Sequence, residues 1–260
     1  MKCLSLALVI LSVCSAALAV SNGTIQEAHS TPWNVIVYPA IDLYDYIQCV
    51  GVLISRNYVL TAAQCLHTTN QYVKIHSLGV YAGVYNWYML EDFVQSYGII
   101  PINKVYEHEG YNATTYENDI AIIELPHPVN ITDEVQIAEL ATEEEALLGE
   151  VGYIAGWSFP VREENHGLPH GGNVTVVSNS VCQETYPSYK IDEKVICTSG
   201  PVAVCNGDQG TGLTVNGKVV GIAYAPKSVL SPTEECPIVP NTYLYIPKYL
   251  DWIKAHSDYE

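Results

Sequence analysis

The apolar residues of this chain come in short runs. The clearest lie at 33–38, 49–55, 72–76, 99–105, 120–125, 152–156, 174–177 and 218–223, separated by turn-forming residues. Their length and β-branched content read as strands, and their number reads as an all-β barrel or sandwich. The clearest helical candidate is the tail at 246–255, with Pro247 near its start. Tyr is abundant (20) and Phe scarce (2), which suits half-buried strands whose outer ends meet water. No internal repeat, low-complexity tract or linker divides the chain, so 20–260 reads as one domain.

The amino terminus reads as a secretory signal over residues 1–19. Lys2 is its one charge, an apolar run follows from Leu4 to Val13, and Ala17-Leu18-Ala19 has the small-x-small pattern of a cleavage site. A membrane anchor is the poorer reading, because the run is too short to span a bilayer. Removing Cys3 and Cys14 with the signal leaves six of eight cysteines, an even number that implies a disulfide framework with fifteen pairings open. The mature chain carries ten basic residues against 28 acidic ones, a charge of −18. That balance disfavours nucleic acid and anionic membranes as partners, and would steer a basic protein towards the chain.

One stretch carries more chemistry than the rest: Val204-Cys205-Asn206-Gly207-Asp208-Gln209-Gly210-Thr211-Gly212-Leu213. It resembles the nucleophile loop of the trypsin-like serine proteases, in which glycines turn the chain sharply and aim backbone N–H groups at a developing oxyanion. Five further stretches resemble that family in the right order. They are Thr31-Pro32-Trp33-Asn34-Val35, Cys49-Val50-Gly51-Val52-Leu53-Ile54, Val59-Leu60-Thr61-Ala62-Ala63-Gln64-Cys65, Glu117-Asn118-Asp119-Ile120-Ala121, and Ile154-Ala155-Gly156-Trp157. The terminal Tyr249-Leu250-Asp251-Trp252-Ile253 matches as well. The resemblance implies two packed six-stranded antiparallel β-barrels with a C-terminal helix. It also implies the pairings Cys49–Cys65, Cys182–Cys197 and Cys205–Cys236.

At the positions where the family keeps its catalytic groups, this chain departs from the pattern. The histidine position is Gln64 and the serine position is Gln209; Asp119 alone keeps the family residue. A carboxamide neither titrates near neutral pH nor forms an acyl-enzyme, so the expectation is a chain without proteolytic activity. By alignment Ala203 takes the floor of the primary specificity pocket, and Tyr224, Pro226 and Asn241 take positions on its walls, where they would fill it. The family's activation pair maps onto Val20 and Asp208. Val20 directly follows Ala19, and no Lys or Arg lies between the signal and Val20, so signal cleavage itself is expected to free the Val20 amine.

Asn22, Asn112, Asn130 and Asn173 head Asn-x-Thr sequons. The eight histidines show no metal-ligand spacing, and neither a metal nor a cofactor is expected. His67, three residues beyond Gln64, is expected on a surface loop. Within the wider family the chain resembles the inactivated protease paralogues of the scabies mite, relatives of the group 3 mite allergens. That resemblance implies secretion into the gut lumen, binding of host serum proteins and inhibition of complement. The alternative is a non-catalytic cofactor or decoy that regulates another protease.

Overall fold

The computed structural model describes residues 20–40, 48–67, 75–89, 95–158, 167–224 and 236–260. The signal segment 1–19, residues 72–74 and Pro226 lie outside the described residues. Two antiparallel sheets make up the molecule. The first contains β2 (Asn34–Ala40), β3 (Cys49–Leu53), β4 (Tyr58–Thr61), β5 (Ser77–Ala82), β6 (Gln95–Pro101), β7 (Val105–Glu107) and β8 (Ala121–Glu124), in the order β6-β5-β2-β3-β4-β8-β7. The second contains β1 (Thr24–Ile25), β9 (Val151–Gly156), β10 (His170–Val177), β11 (Val195–Ser199), β12 (Gly212–Val215), β13 (Lys218–Tyr224) and β14 (Asn241–Tyr245). Six of these strands close into a barrel through the β9–β10 pairing, and β1 is added along β10.

Two closed barrels were expected, and only the second closes. Among the described residues no ladder joins β6 to β7, so the first sheet is a half-barrel. The expected strand at 99–105 is broken where Pro101 ends β6; a short 3-10 turn, Ile102–Lys104, then re-aims the chain into β7. Proline has no N–H to continue a ladder. The strand expected at 72–76 is displaced to β5, beyond Ile75 and His76. The tail contains a 3-10 turn at Ile246–Lys248 and then α2 (Leu250–Ala255). A second helix, α1 (Asn179–Thr185), stands beside the Cys182–Cys197 disulfide.

Strand periodicity assigns each residue to one of three cores. Val59 and Ile123 are cross-strand partners facing the first sheet's interior, whereas Leu60 and Ile122, the next pair along, face the second barrel. Ala223 pairs with Tyr243 inside the second barrel, and Ile222 pairs with Leu244 towards the first sheet. The interface between sheets is therefore a core of its own, closed at one end by Ile246 and by Ile253 of α2. The three disulfides join the expected partners: Cys49–Cys65, Cys182–Cys197 and Cys205–Cys236. At a typical 2–4 kcal/mol each, they stabilise a fold whose contacts are mostly non-local.

Candidate functional site

Gln64, Asp119 and Gln209 arrive from three separate elements and meet at the interface of the sheets. Gln64 lies in the 3-10 turn Ala63–Leu66 that follows β4. Asp119 ends a tight loop ahead of β8. That loop is pinned by Tyr116 N–H to Asn112 O (2.7 Å), Asn112 N–H to Glu117 O (3.1 Å) and the Asn118 side chain to Gly110 O (2.9 Å). Gln209 occupies the loop ahead of β12, held by Val50 N–H donating to Gln209 O at 2.8 Å and Gly210 N–H to Ala223 O at 2.8 Å. Gly210 has φ of +88°, and a Cβ there would stand 1.9 Å from Val50 O and 2.4 Å from Thr61 Oγ1. Only glycine allows the loop to approach β3 this closely.

Asp119 is fully buried and both its oxygens are taken by Gln64. The backbone N–H of Gln64 donates to Oδ1 at 2.7 Å and its Nε2 to Oδ2 at 2.5 Å. Burial pushes the Asp119 carboxyl up to about 7, against the opposing pull of these bonds and of the nearby His67. A carboxamide donor has no proton to give up, so this pair has no imidazolium form that would hold the carboxylate ionised. The Gln64 amide points at Asp119 and is fixed there.

Gln209 is 2 % exposed. Its Oε1 accepts the backbone N–H of Gly207 at 2.9 Å. In the family's pattern this N–H is one of the oxyanion donors, and here a side chain of the same loop occupies it. Asp208, next to it, is fully buried and accepts from Ser158 N–H (3.0 Å) and Cys205 N–H (3.0 Å), with burial pushing its carboxyl up to about 7. Val20 is also fully buried. Its N–H donates to Ser158 Oγ at 2.7 Å and contributes to holding the Asp208 carboxylate. Ser158 therefore stands between the two members of the expected Val20–Asp208 pair. Ser21 N–H donates to Ala203 O at 2.7 Å and receives Ala203 N–H at 3.1 Å, which seats the amino-terminal segment against the loop.

Ala203 is fully buried, and the Asn241 side chain reaches towards its neighbours. Asn241 Oδ1 accepts Val204 N–H at 2.8 Å, and its Nδ2 lies 3.4 Å from both Thr198 Oγ1 and Val202 O. The side chain thus bridges β14 to the 202–204 segment in place of open space. Tyr224 is 3 % exposed and lines a crevice with Tyr116, Asn118 and Tyr249. Thr242 Oγ1 donates to its carbonyl at 2.9 Å. His67 is not on an open loop, as was expected. It is half-buried against Tyr111, ring centroids 5.4 Å apart, with Nε2 2.6 Å from Glu107 Oε2. Exposed positions are found for Asn22, Asn112, Asn130 and Asn173; Asn22 also donates its Nδ2 to Pro201 O at 2.8 Å. Among the described residues no group of three metal-ligating side chains is found.

Sequence reasoning missed Ser158 and the Gly207–Gln209 contact. Ser158 follows the Ala-Gly-Trp motif directly, and that adjacency was the available signal. The Gly207–Gln209 bond depends on a rotamer, which no pattern reports.

Two antiparallel sheets meeting at a glycine-rich loop, an amino-terminal segment and a buried aspartate define a protein of the serine protease fold. The family model for trypsin matches residues 20–253, and the chain belongs to that family. Human kallikrein-2 is 30 % identical over 246 residues, covering 88 % of this chain and 85 % of the relative. Chymotrypsin of Phaedon cochleariae is 25 % identical, covering 94 % and 84 %. The solved structure of HL collagenase superimposes with a TM-score of 0.75 at 23 % identity, covering 92 % of this chain and 99 % of that one. Among the described residues no helix is long and apolar enough to cross a membrane.

Proposed function

We propose that this is a secreted, proteolytically inactive member of the trypsin family that works by binding. One observation carries the reading. Both carboxamides stand where a base and a nucleophile would be needed, and both are committed to internal partners, Gln64 to Asp119 and Gln209 to the Gly207 N–H. Chemistry by the family route requires a group that takes up a proton and a hydroxyl that attacks, and removing either costs on the order of a million-fold in turnover. The Asn241 bridge and the buried Tyr224 support the same reading, since they fill the space a substrate side chain would enter.

The partner class follows from the resemblance to the inactivated mite paralogues: host serum proteins, with complement components first among them, met in the gut lumen. A strongly acidic surface suits a protein that must stay soluble there and attract basic partners. The test is complement-mediated lysis in human serum, each activation pathway assayed separately, with purified protein titrated in. Dose-dependent inhibition with every complement component left intact is expected. No effect at micromolar protein would remove the complement reading.

A further inference from the structure

A narrow groove away from the vestigial site is lined by Glu27, His29, Pro32, Asn34, Glu134 and Trp157. Its walls are fixed. Gln26 N–H donates to Pro169 O at 2.9 Å, Gln136 N–H to Pro32 O at 3.0 Å, and Trp157 Nε1 to Tyr85 O at 3.2 Å. Asn34 is 4 % exposed, and its Nδ2 is spent on Ala155 O across the sheet interface at 3.1 Å. Its Oδ1 is buried with no hydrogen-bond partner. A buried acceptor without a donor costs roughly 1–3 kcal/mol, so the groove holds a standing demand for an N–H. At its rim stand two carboxylates. The Thr132 hydroxyl donates to Glu134 and holds its carboxyl below the ordinary range, so it is ionised at neutral pH. His29 takes a left-handed φ of +59°, a conformation that a non-glycine residue keeps at functional positions more often than elsewhere.

We propose that this groove receives a lysine or arginine side chain of a protein partner. The cationic head would donate to Asn34 Oδ1, its charge would be met by Glu27 and Glu134, and its stem would lie along Pro32 and the Trp157 ring. An acceptor, two anions and an aromatic wall suit a cation with several N–H donors; an anion or an apolar side chain would leave Asn34 Oδ1 unmet. The net charge of the chain would steer such a basic partner inward. The inference rests on the reading of the chain as a binding protein and adds the chemistry of what is bound.

The experiment is an NMR titration of the mature protein with N-acetyl-arginine amide and N-acetyl-lysine amide, observing the Trp157 indole N–H. A saturable shift in the millimolar range is expected with either amide. It should weaken roughly fivefold to tenfold in the Glu27→Gln/Glu134→Gln variant, as two rim charges of modest value would give. It should also weaken with added salt. No saturable shift, an equal shift with N-acetyl-norleucine amide, or unchanged affinity in the variant would overturn the proposal. Both substitutions are isosteric and at the surface, and the variant's unchanged melting temperature would certify its fold. The titration needs no partner, so a failed complement assay beside a saturating titration would remove only the complement reading.

Discussion

Asp119 gives a prediction with a definite sign. Its carboxyl is fully buried and stands near 7 in the folded chain, against a value of 3.8 for a free aspartate. Folding therefore favours the protonated form. Below the unfolded value both states are protonated and the group imposes no penalty; as pH rises through the folded value the unfolded state is increasingly favoured. Lowering the pH from 8 to 5 should then stabilise the protein, by about 1.4 kcal/mol for each unit below the folded value, or roughly 3 kcal/mol in all. For a chain of this size that is a rise in Tm of about 6–12 °C. Other groups titrate over the same range, so the measurement is a difference between the wild type and Asp119→Asn. In the variant the new amide can accept from the Gln64 N–H and, if the Gln64 side chain flips, donate to its oxygen. The variant should fold and lose the Asp119 share of the slope. The assay is thermal melting by circular dichroism across that pH range. Equal slopes in the two proteins, or a wild-type Tm that falls more steeply than the variant's on acidification, would refute the reasoning. Gln64→His should also flatten the slope at its acid end, because an imidazolium beside Asp119 would keep it ionised.

The other expectations concern the loop and the amino terminus. Gly210→Ala places a Cβ 1.9 Å from Val50 O at a φ of +88° and should cost about 4 kcal/mol or more, leaving little folded protein on expression. Gln64→His with Gln209→Ser should release no product from trypsin or chymotrypsin substrates, because Asn241 still bridges the pocket; measurable turnover would show that the bridge does not exclude a substrate. Amino-terminal sequencing of secreted protein should begin at Val20. This residue has a φ of +40°, which a β-branched residue holds at a cost of about 1–3 kcal/mol, and that strain disappears when no carbonyl precedes it. A sequence starting elsewhere would sink the Val20–Asp208 activation pair.

Most of the fold was legible because disulfide spacing, strand length and motif order agree with one another. The alternation that sends Val59 inward and Leu60 across the interface can be read from the chain. The opening of the first sheet could not be read, because it turns on one proline, Pro101, inside a run that otherwise looks like an uninterrupted strand. Of the candidate site, the identities of Gln64, Asp119 and Gln209 were plain, and so was the chemistry that carboxamides lack. Their partners were not. Whether Gln209 would face solvent or turn back onto Gly207 depends on how tightly the loop packs against β3, and packing is set by Thr61 and Val50, far away in sequence. His67 was misplaced for a similar reason: its environment is made by Glu107 and Tyr111, on a strand and loop that sequence order does not bring near it. The groove at Asn34 leaves no motif at all, since its members are drawn from four separated segments.

The central claim is that the chain binds and does not cut. A fluorophosphonate probe tests it most directly, since it labels a serine only when that serine is activated. Purified protein and active trypsin would be incubated side by side with the biotinylated probe and read by mass. The account predicts an unmodified mass for this protein and full labelling of trypsin. Stoichiometric labelling, at any residue and abolished by prior denaturation, would contradict it.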